Sequence, residues 1–341
     1  MKTLPAALGV ESALRFSRGS RFRRRGAAAL ARCIPQGMVI GGIVPTETDI
    51  VVAYAHAPDG TDRVIVKLAR SARGARSLRR AADRLTELHA DPRLDGWEVP
   101  TPVILDLGEL DGFPYVVESA MSGEPIARLL DRGAASEPLT DLATQAIAGL
   151  HRRTASVLAV DADVLDRWIG QPVLALEQLV AASPHRAAMV RELGSELAAR
   201  LENRNLAAGW IHGDYAPNNV LIDAHAGRIA GIVDWELAGT PELPVIDRTM
   251  FLLATHLQST GRQLGSVVAE IAKREASNSL LGSLVPARAA AIDRVLDPRS
   301  VTLLCWLRHV APLVTRSERM AADSAWKRHN VYQVLDALAE R

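Results

Sequence analysis

Three polar side chains lie at the ends of neighbouring apolar runs in residues 210–236. Asp214 follows the first run, Asn219 lies five residues later at the start of the second, and Asp234 follows the third. If the second and third runs form a hairpin, Asn219 and Asp234 lie at one end of the paired strands. Amide and carboxylate oxygens are hard ligands that suit Mg²⁺, and a nearby carboxylate accepts a proton from a hydroxyl nucleophile. Phosphoryl transfer requires this combination.

The spacing of these residues also matches a known motif. His-Gly-Asp at 212–214 is followed after four residues by Asn219, and a later strand ends in Val-Asp-Trp-Glu at 233–236. This order resembles the aminoglycoside phosphotransferase and choline kinase family, whose loop corresponds to the His-Arg-Asp-x-x-x-x-Asn signature of protein kinases. The resemblance implies that Asp214 is the catalytic base and that Asn219 and Asp234 bind Mg²⁺.

The elements before residue 121 indicate a small antiparallel sheet that carries one helix. Short β-branched runs at 37–44, 49–56 and 63–70 are typical of strands. A helix is predicted over 74–90, with one stripe made of Leu78, Ala81, Ala82, Leu85 and His89. Two further strands flank an Asp-Gly turn. The resemblance implies an α+β, protein-kinase-like fold with two lobes. We expect a basic arm at 1–35, a nucleotide-binding lobe at 36–120, and a helical catalytic and acceptor-binding lobe at 121–341.

The second half of the chain is predominantly helical by its pattern. Residues 139–153 are amphipathic, and Ser183-Pro184 predicts a helix start with a capping side chain, the helix running to about residue 202. Residues 245–341 are mostly helical, and the aspartate at 247 is expected to have a structural or capping role.

The resemblance also assigns nucleotide contacts. Lys67, one of only four lysines in the chain, lies in the third predicted strand, where the family holds the phosphates of ATP or GTP. The Ser119 carbonyl and the Met121 amide are expected to bind the purine edge. Thr46 and Thr48 are either donors to phosphate or part of an ordinary turn.

One departure from the family concerns the acidic partner of Lys67. Kinases pair this lysine with a glutamate on the helix that packs against the sheet. In the helix predicted over 74–90, the position expected to face inward is Ala81. Asp83 and Glu87 fall towards solvent on the helical wheel. Either the apolar stripe is misassigned, or Lys67 is held by Asp234 or by the nucleotide. This departure supports an alternative function, a nucleotide-binding pseudokinase with a regulatory or scaffold role.

The acceptor is expected to be a hydroxyl of a small molecule: an antibiotic, a sugar, a nucleoside or an amino alcohol. By resemblance, the last helices help to wall its site. Trp306, Arg308 and Trp326 are the candidates, because ring stacking and guanidinium contacts suit sugars and anionic groups. Each is also a candidate for the core or the surface.

The bulk composition sets further limits. The 341 residues are 48% hydrophobic and 23% charged, which is typical of a globular chain. The net charge of +1 does not favour nucleic acid or anionic membrane as a partner. No apolar run reaches the roughly 18–20 residues that span a bilayer. Cys33 and Cys305 lack metal-ligand spacing and suit reduced thiols in the cytoplasm. The oligomeric state stays open.

Overall fold

Two compact units make up the described part of the chain. The structure, a computed structural model, describes residues 30–44, 49–60, 63–273 and 296–340. The first unit takes the described residues up to Asp91 together with Pro100–Ser122. The second takes Pro92–Val99 and the described residues from Gly123 onwards. Each unit has its own hydrophobic core.

A five-stranded antiparallel sheet forms the first unit, and it confirms the predicted strands. The strand order is β1-β2-β3-β5-β4. Asp111 and Gly112 make the predicted tight turn with φ of 52° and 81°, the left-handed region that two-residue hairpin turns require. The strands are β1 (Val39–Val44), β2 (Ile50–His56), β3 (Arg63–Ala69), β4 (Ile104–Leu110) and β5 (Phe113–Ser119).

One long helix, α1 (Ala72–Ala90), packs on this sheet. The Ser71 hydroxyl accepts a hydrogen bond from the Gly74 amide at 3.1 Å and so caps the helix N-terminus. Leu78 and Ala82 form a cluster with Val116 of β5. The predicted helix is therefore confirmed. Four residues of the predicted stripe are buried, but His89 is exposed and Leu88 is buried instead.

Two three-stranded sheets belong to the second unit, in the orders β10-β9-β6 and β11-β8-β7. β9 and β10 form the expected antiparallel hairpin. β6, β7 and β11 were not predicted, because their two to four residues show neither an alternating pattern nor an apolar run bounded by turn residues. The strands are β6 (Glu124–Pro125), β7 (Ser156–Ala159), β8 (Asn205–Ile211), β9 (Val220–Asp223), β10 (Arg228–Ile232) and β11 (Gly239–Glu242).

Helices supply most of the second unit's core. The predicted start at Ser183-Pro184 is confirmed, since the Ser183 hydroxyl accepts from the Arg186 amide. The helices are α2 (Ile126–Asp131), α3 (Ser136–Thr154), α4 (Ala162–Leu165), α5 (Gln171–Leu179), α6 (Pro184–Leu201), α7 (Val245–Thr260), α8 (Leu264–Lys273), α9 (Pro298–Arg316), α10 (Glu318–Ala322), α11 (Ser324–Lys327) and α12 (Gln333–Ala339). Within the described ranges, no helix combines the length and apolar character needed to cross a membrane.

Candidate active site

The loop between β8 and β9 carries the predicted catalytic residue, and a glycine gives this loop its shape. Gly213 has a φ of +80°, and a Cβ added there would lie 2.2 Å from the carbonyl oxygen of Leu237. Both the backbone conformation and the lack of space exclude a side chain. The local geometry therefore explains why residue 213 is glycine.

A buried carboxylate holds the same loop. Asp247 is fully buried, and its oxygens accept hydrogen bonds from the amides of His212 and Gly213, each at 2.8 Å. The Nε2 atom of His151 lies 2.9 Å from the same carboxylate. The N-terminal cap position of α7 is Pro244, not Asp247. The structural role predicted for Asp247 is confirmed, and the capping role is wrong.

The ring of His212 has one consistent protonation pattern. Its Nε2 atom lies 2.9 Å from the carbonyl oxygen of Val233, which can only accept. The proton is therefore on Nε2, and Nδ1 accepts from the amide of Asp214 at 3.3 Å. The neutral imidazole links the end of β10 to the backbone of the predicted base.

The hairpin brings two predicted magnesium ligands to the same end of the strands. The Val233 amide donates to the Asn219 carbonyl at 2.9 Å, so Asp234 follows directly after the residue that pairs with Asn219. The Asn219 side-chain amide donates to the Asp214 carbonyl at 2.9 Å, which leaves its Oδ1 atom as the acceptor. Asp234 has a φ of 67°, a left-handed conformation that aspartate tolerates.

These oxygen donors fit Mg²⁺. Mg²⁺ in kinase sites is typically held by one or two carboxylates together with substrate phosphates and water, not by a cage of protein ligands. In the ranges that the structure describes, no group of three or more His, Cys, Asp and Glu side chains is arranged to hold a metal. The amide oxygen of Asn219 and the carboxylate of Asp234 provide the smaller donor set that a nucleotide-bound Mg²⁺ needs.

A histidine of α9 faces the predicted base. His309 Nδ1 lies 3.6 Å from Asp214 Oδ1, and their side chains are 19% and 32% exposed. Burial lowers the pKa of His309; the Asp214 carboxylate opposes this shift and Arg316 adds to it. The neutral form is therefore favoured, so the Asp214 carboxylate is not neutralised by a cation at this position.

Two arginines of α9 form ion pairs with glutamates near the loop. Arg308 lies 2.7 Å from Glu242 Oε2, with side chains 17% and 10% exposed. Arg316 lies 2.8 Å from Glu236 Oε1 and is similarly buried. α9 thus lies beside the catalytic loop and beside the residues that follow Asp234. Sequence reasoning named α9 residues only as candidates for an acceptor wall and did not predict these pairs.

The expectation for the acceptor wall needs one correction. Trp306 is fully buried in the core of the second unit, and its indole N–H donates to the Asn330 carbonyl at 2.8 Å. Its ring faces are therefore unavailable for stacking on an acceptor. Trp326 is half-buried and packs against the edge of the same core.

In the first unit, Lys67 has an acidic partner that the sequence did not reveal. Lys67 Nζ lies 3.0 Å from Glu118 Oε1, and Glu118 is in the neighbouring strand β5. Asp83 and Glu87 of α1 are exposed, as expected. The apolar stripe was therefore assigned correctly apart from His89. The two groups proposed to hold Lys67 were Asp234 and the nucleotide, and Glu118 was not considered.

The other predicted nucleotide contacts are placed only in part. Ser119 ends β5, where its amide donates to the Val103 carbonyl and its hydroxyl accepts from the Val103 amide, both at 2.9 Å. Met121 follows the strand and is half-buried. Thr46 and Thr48 lie outside the described residues.

The chain matches a family model described as the phosphotransferase enzyme family over residues 52–273, well over half its length. This span includes Lys67 and the whole stretch from Asp214 to Asp234. The chain belongs to the phosphotransferase enzyme family. It is a small-molecule phosphotransferase. A search of curated proteins gave no significant match for this phosphotransferase.

Solved structures have the same fold as this phosphotransferase. Aminoglycoside 2'-phosphotransferase-IIIa, solved as its GDP complex, is 15% identical with a TM-score of 0.57, over 93% of this chain and 98% of that chain. Aminoglycoside phosphotransferase APH(3'')-Id from Streptomyces rimosus is 17% identical with a TM-score of 0.50, over 86% and 98%. The predicted α+β, protein-kinase-like fold is confirmed.

Proposed function

We propose that this phosphotransferase transfers the γ-phosphoryl group of ATP or GTP to a hydroxyl group of a small molecule. The observation that carries the proposal is the grouping of Asp214, Asn219 and Asp234 by one loop and one hairpin. The same APH(3'')-Id was also solved in complex with ADP and streptomycin, and the 2'-phosphotransferase-IIIa was solved with GDP. These complexes support either ATP or GTP as the phosphoryl donor. They also support an antibiotic as one acceptor class, beside sugars, nucleosides and amino alcohols.

Asp214 binds the acceptor hydroxyl and takes its proton as the new oxygen–phosphorus bond forms, while the bond from the γ-phosphorus to the leaving nucleoside diphosphate breaks. Its carboxylate is partly exposed, so a hydroxyl can approach it. The backbone of its loop is fixed by Asp247 and by the ring of His212. Because these groups hold the loop before substrate binds, the carboxylate does not have to be ordered during the reaction.

The first unit supplies the nucleotide contacts in this proposal. Lys67 binds the phosphates, and the Ser119 carbonyl and Met121 amide bind the purine edge. Thr46 and Thr48 are further donors to phosphate. Residues 36–120 are accordingly the nucleotide-binding lobe, and residues 121–341 are the catalytic and acceptor-binding lobe.

Asn219 and Asp234 hold magnesium in this proposal, through the amide Oδ1 and the carboxylate oxygens. Mg²⁺ bound there neutralises phosphate charge during transfer. Asn219 has a second task, because its amide N–H group also holds the Asp214 carbonyl. The metal ligand and the base are thereby kept at a fixed spacing.

The acceptor site lies on the side of Asp214 that faces α9. His309 is next to the carboxylate, and Arg308 of the same helix is partly exposed beside Glu242. Arg308 and the half-buried Trp326 remain the acceptor contacts that we propose, without Trp306. Cys33 and Cys305 are buried and form no disulfide with each other, which suits the proposed cytoplasmic location.

A screen of hydroxylated metabolites and antibiotics tests the proposal, with Mg²⁺ and either ATP or GTP and with NDP release scored above the background without acceptor. The matched control is Asp214→Asn. We expect it to lower turnover by several powers of ten and to change nucleotide binding only a few-fold, because the base contacts the acceptor and not the nucleotide. Near-normal turnover in Asp214→Asn would rule out this role.

A pseudokinase would bind nucleotide in the same assay and give no turnover with any acceptor. The one feature that favoured a pseudokinase was the lack of a glutamate on the inward face of α1. Lys67 pairs with Glu118, so that feature no longer argues against catalysis.

A further inference from the structure

The ion pair of Lys67 with Glu118 is largely shielded from water. The two charged atoms are 3.0 Å apart, and the side chains of Lys67 and Glu118 are 15% and 8% exposed. Charge pairs with so little exposure are screened less than surface pairs, so each group strongly restricts the position of the other. A surface pair would restrict neither group much.

The register of the sheet places the two side chains together. In the antiparallel pairing of β3 with β5, Lys67 lies opposite Val116 and Ile65 lies opposite Glu118. Residues two apart on a strand point to the same face, so Lys67 and Glu118 are diagonal neighbours on one face. Diagonal neighbours are within reach of long side chains. The pair is therefore built by the backbone ladder of a central strand.

The helix that packs on this sheet contributes no carboxylate at its buried face. The only acidic residues of α1 are Asp83 and Glu87, and both are exposed. Glu87 is 2.6 Å from Arg84 of the same helix. The buried face of α1 consists of small and apolar residues, among them Ala81 and Ala82.

We propose that Glu118 is the residue that positions Lys67 for nucleotide binding, in place of a glutamate on the helix. The inference rests on the proposed function of Lys67 in holding phosphates. Glu118 directly precedes Ser119, so one strand end carries both the counter-ion of the lysine and the carbonyl proposed for the purine edge. Because both partners lie in paired strands, the lysine is held in place without any movement of α1.

The test compares Glu118→Gln with the double variant Asp83→Asn, Glu87→Gln. Glutamine keeps the shape of the side chain and removes its charge. We expect Glu118→Gln to raise the KM for the nucleotide about tenfold or more, because removing one partner of a buried ion pair leaves the other charge uncompensated. The KM for the acceptor should not change, and Glu118→Asp should recover part of the loss. The double variant should match the wild type.

A general loss of structure does not produce this split between the two KM values, and circular dichroism establishes that each variant is folded. A further variant, Lys67→Met, tests the role of Lys67 in nucleotide binding separately from the role of Glu118. If Lys67→Met leaves the nucleotide KM unchanged, the role proposed for Lys67 is wrong. If Lys67→Met raises it and Glu118→Gln does not, only the role of Glu118 is overturned. Loss of nucleotide affinity in the double variant would show that an acidic residue of α1 positions Lys67.

Discussion

Asp234 occupies a backbone conformation that few residue types accept. Its φ of 67° and ψ of 61° are left-handed, and it comes directly before the single turn of 3₁₀ helix at Trp235–Leu237. The chain therefore leaves β10 sharply at this residue, next to the strand pairing of Asn219 with Val233. Aspartate satisfies both demands of the position, because it tolerates the turn and supplies a carboxylate.

Asp234→Ala should abolish most of the magnesium dependence of nucleotide binding, because a ligand and its charge disappear together. We expect the affinity for the magnesium nucleotide to fall more than about tenfold, since the loss of even a supporting residue of a metal site costs that much. Calorimetric titration with ATP, with and without Mg²⁺, measures the effect. The control is Asp223→Ala in the same hairpin, whose carboxylate accepts the amides of His225 and Ala226. An unchanged magnesium dependence in Asp234→Ala would place the metal elsewhere.

At the scale of elements, the loop that carries Asp214 is fixed by its neighbours as well as by its own residues. The first turn of α7 supplies the buried carboxylate of Asp247. The Tyr215 hydroxyl donates to the Ala143 carbonyl of α3 at 2.7 Å, and the turn after β10 comes close to Gly213. Three separate elements thus constrain one loop, so a distortion at any contact shifts the predicted base.

Two glycines with the same backbone conformation allow this constraint to be measured. Gly213 has a φ of +80° and is crowded by the Leu237 carbonyl, whereas Gly112 has a φ of +81° with nothing within 4 Å of an added Cβ. Gly112→Ala should cost only the left-handed strain, about 1–2 kcal/mol. Gly213→Ala should add about 1–3 kcal/mol of overpacking and lower turnover. Urea unfolding of both variants measures the difference. Equal destabilisation would show that the loop yields to the methyl group without cost.

At the scale of the whole molecule, several ionisable groups are kept neutral by burial. Burial lowers the pKa values of His89, His256 and His309. Burial also raises the pKa of the Cys305 thiol to about 12. These groups resist charging in the folded state and titrate normally in the unfolded chain. The stability of the fold is therefore coupled to pH.

The free energy of unfolding should decrease as the pH falls from 7 to 5. The unfolded chain takes up protons on histidine near a pKa of about 6.5, while the folded state takes them up only at lower pH. The unfolded state therefore binds more protons in this range and is favoured by acid. Each such histidine contributes a slope of at most about 1.4 kcal/mol per pH unit. Denaturant titrations at several pH values should give a flatter slope for His309→Gln, and an identical slope would contradict the assignment for His309.

The sequence by itself determined the local features of this protein. Short β-branched runs located the sheet of the first unit, apolar residues at helical spacing located α1, and Ser183-Pro184 located the start of α6. The spacing from Asp214 through Asn219 to Asp234 indicated phosphoryl transfer, because a hairpin necessarily returns its two ends to one place. These inferences succeeded because each depends on residues that are close along the chain.

Only the tertiary structure decided which distant residues meet. Glu118 contacts Lys67 because of the register between β3 and β5, which the sequence does not show. By resemblance to kinases, the acidic partner of Lys67 would lie on α1. Trp306 and His309 lie one helical turn apart in α9, yet one is in the core and the other faces Asp214. A helical pattern shows which residues share a face, but the packing of neighbouring elements decides what that face contacts.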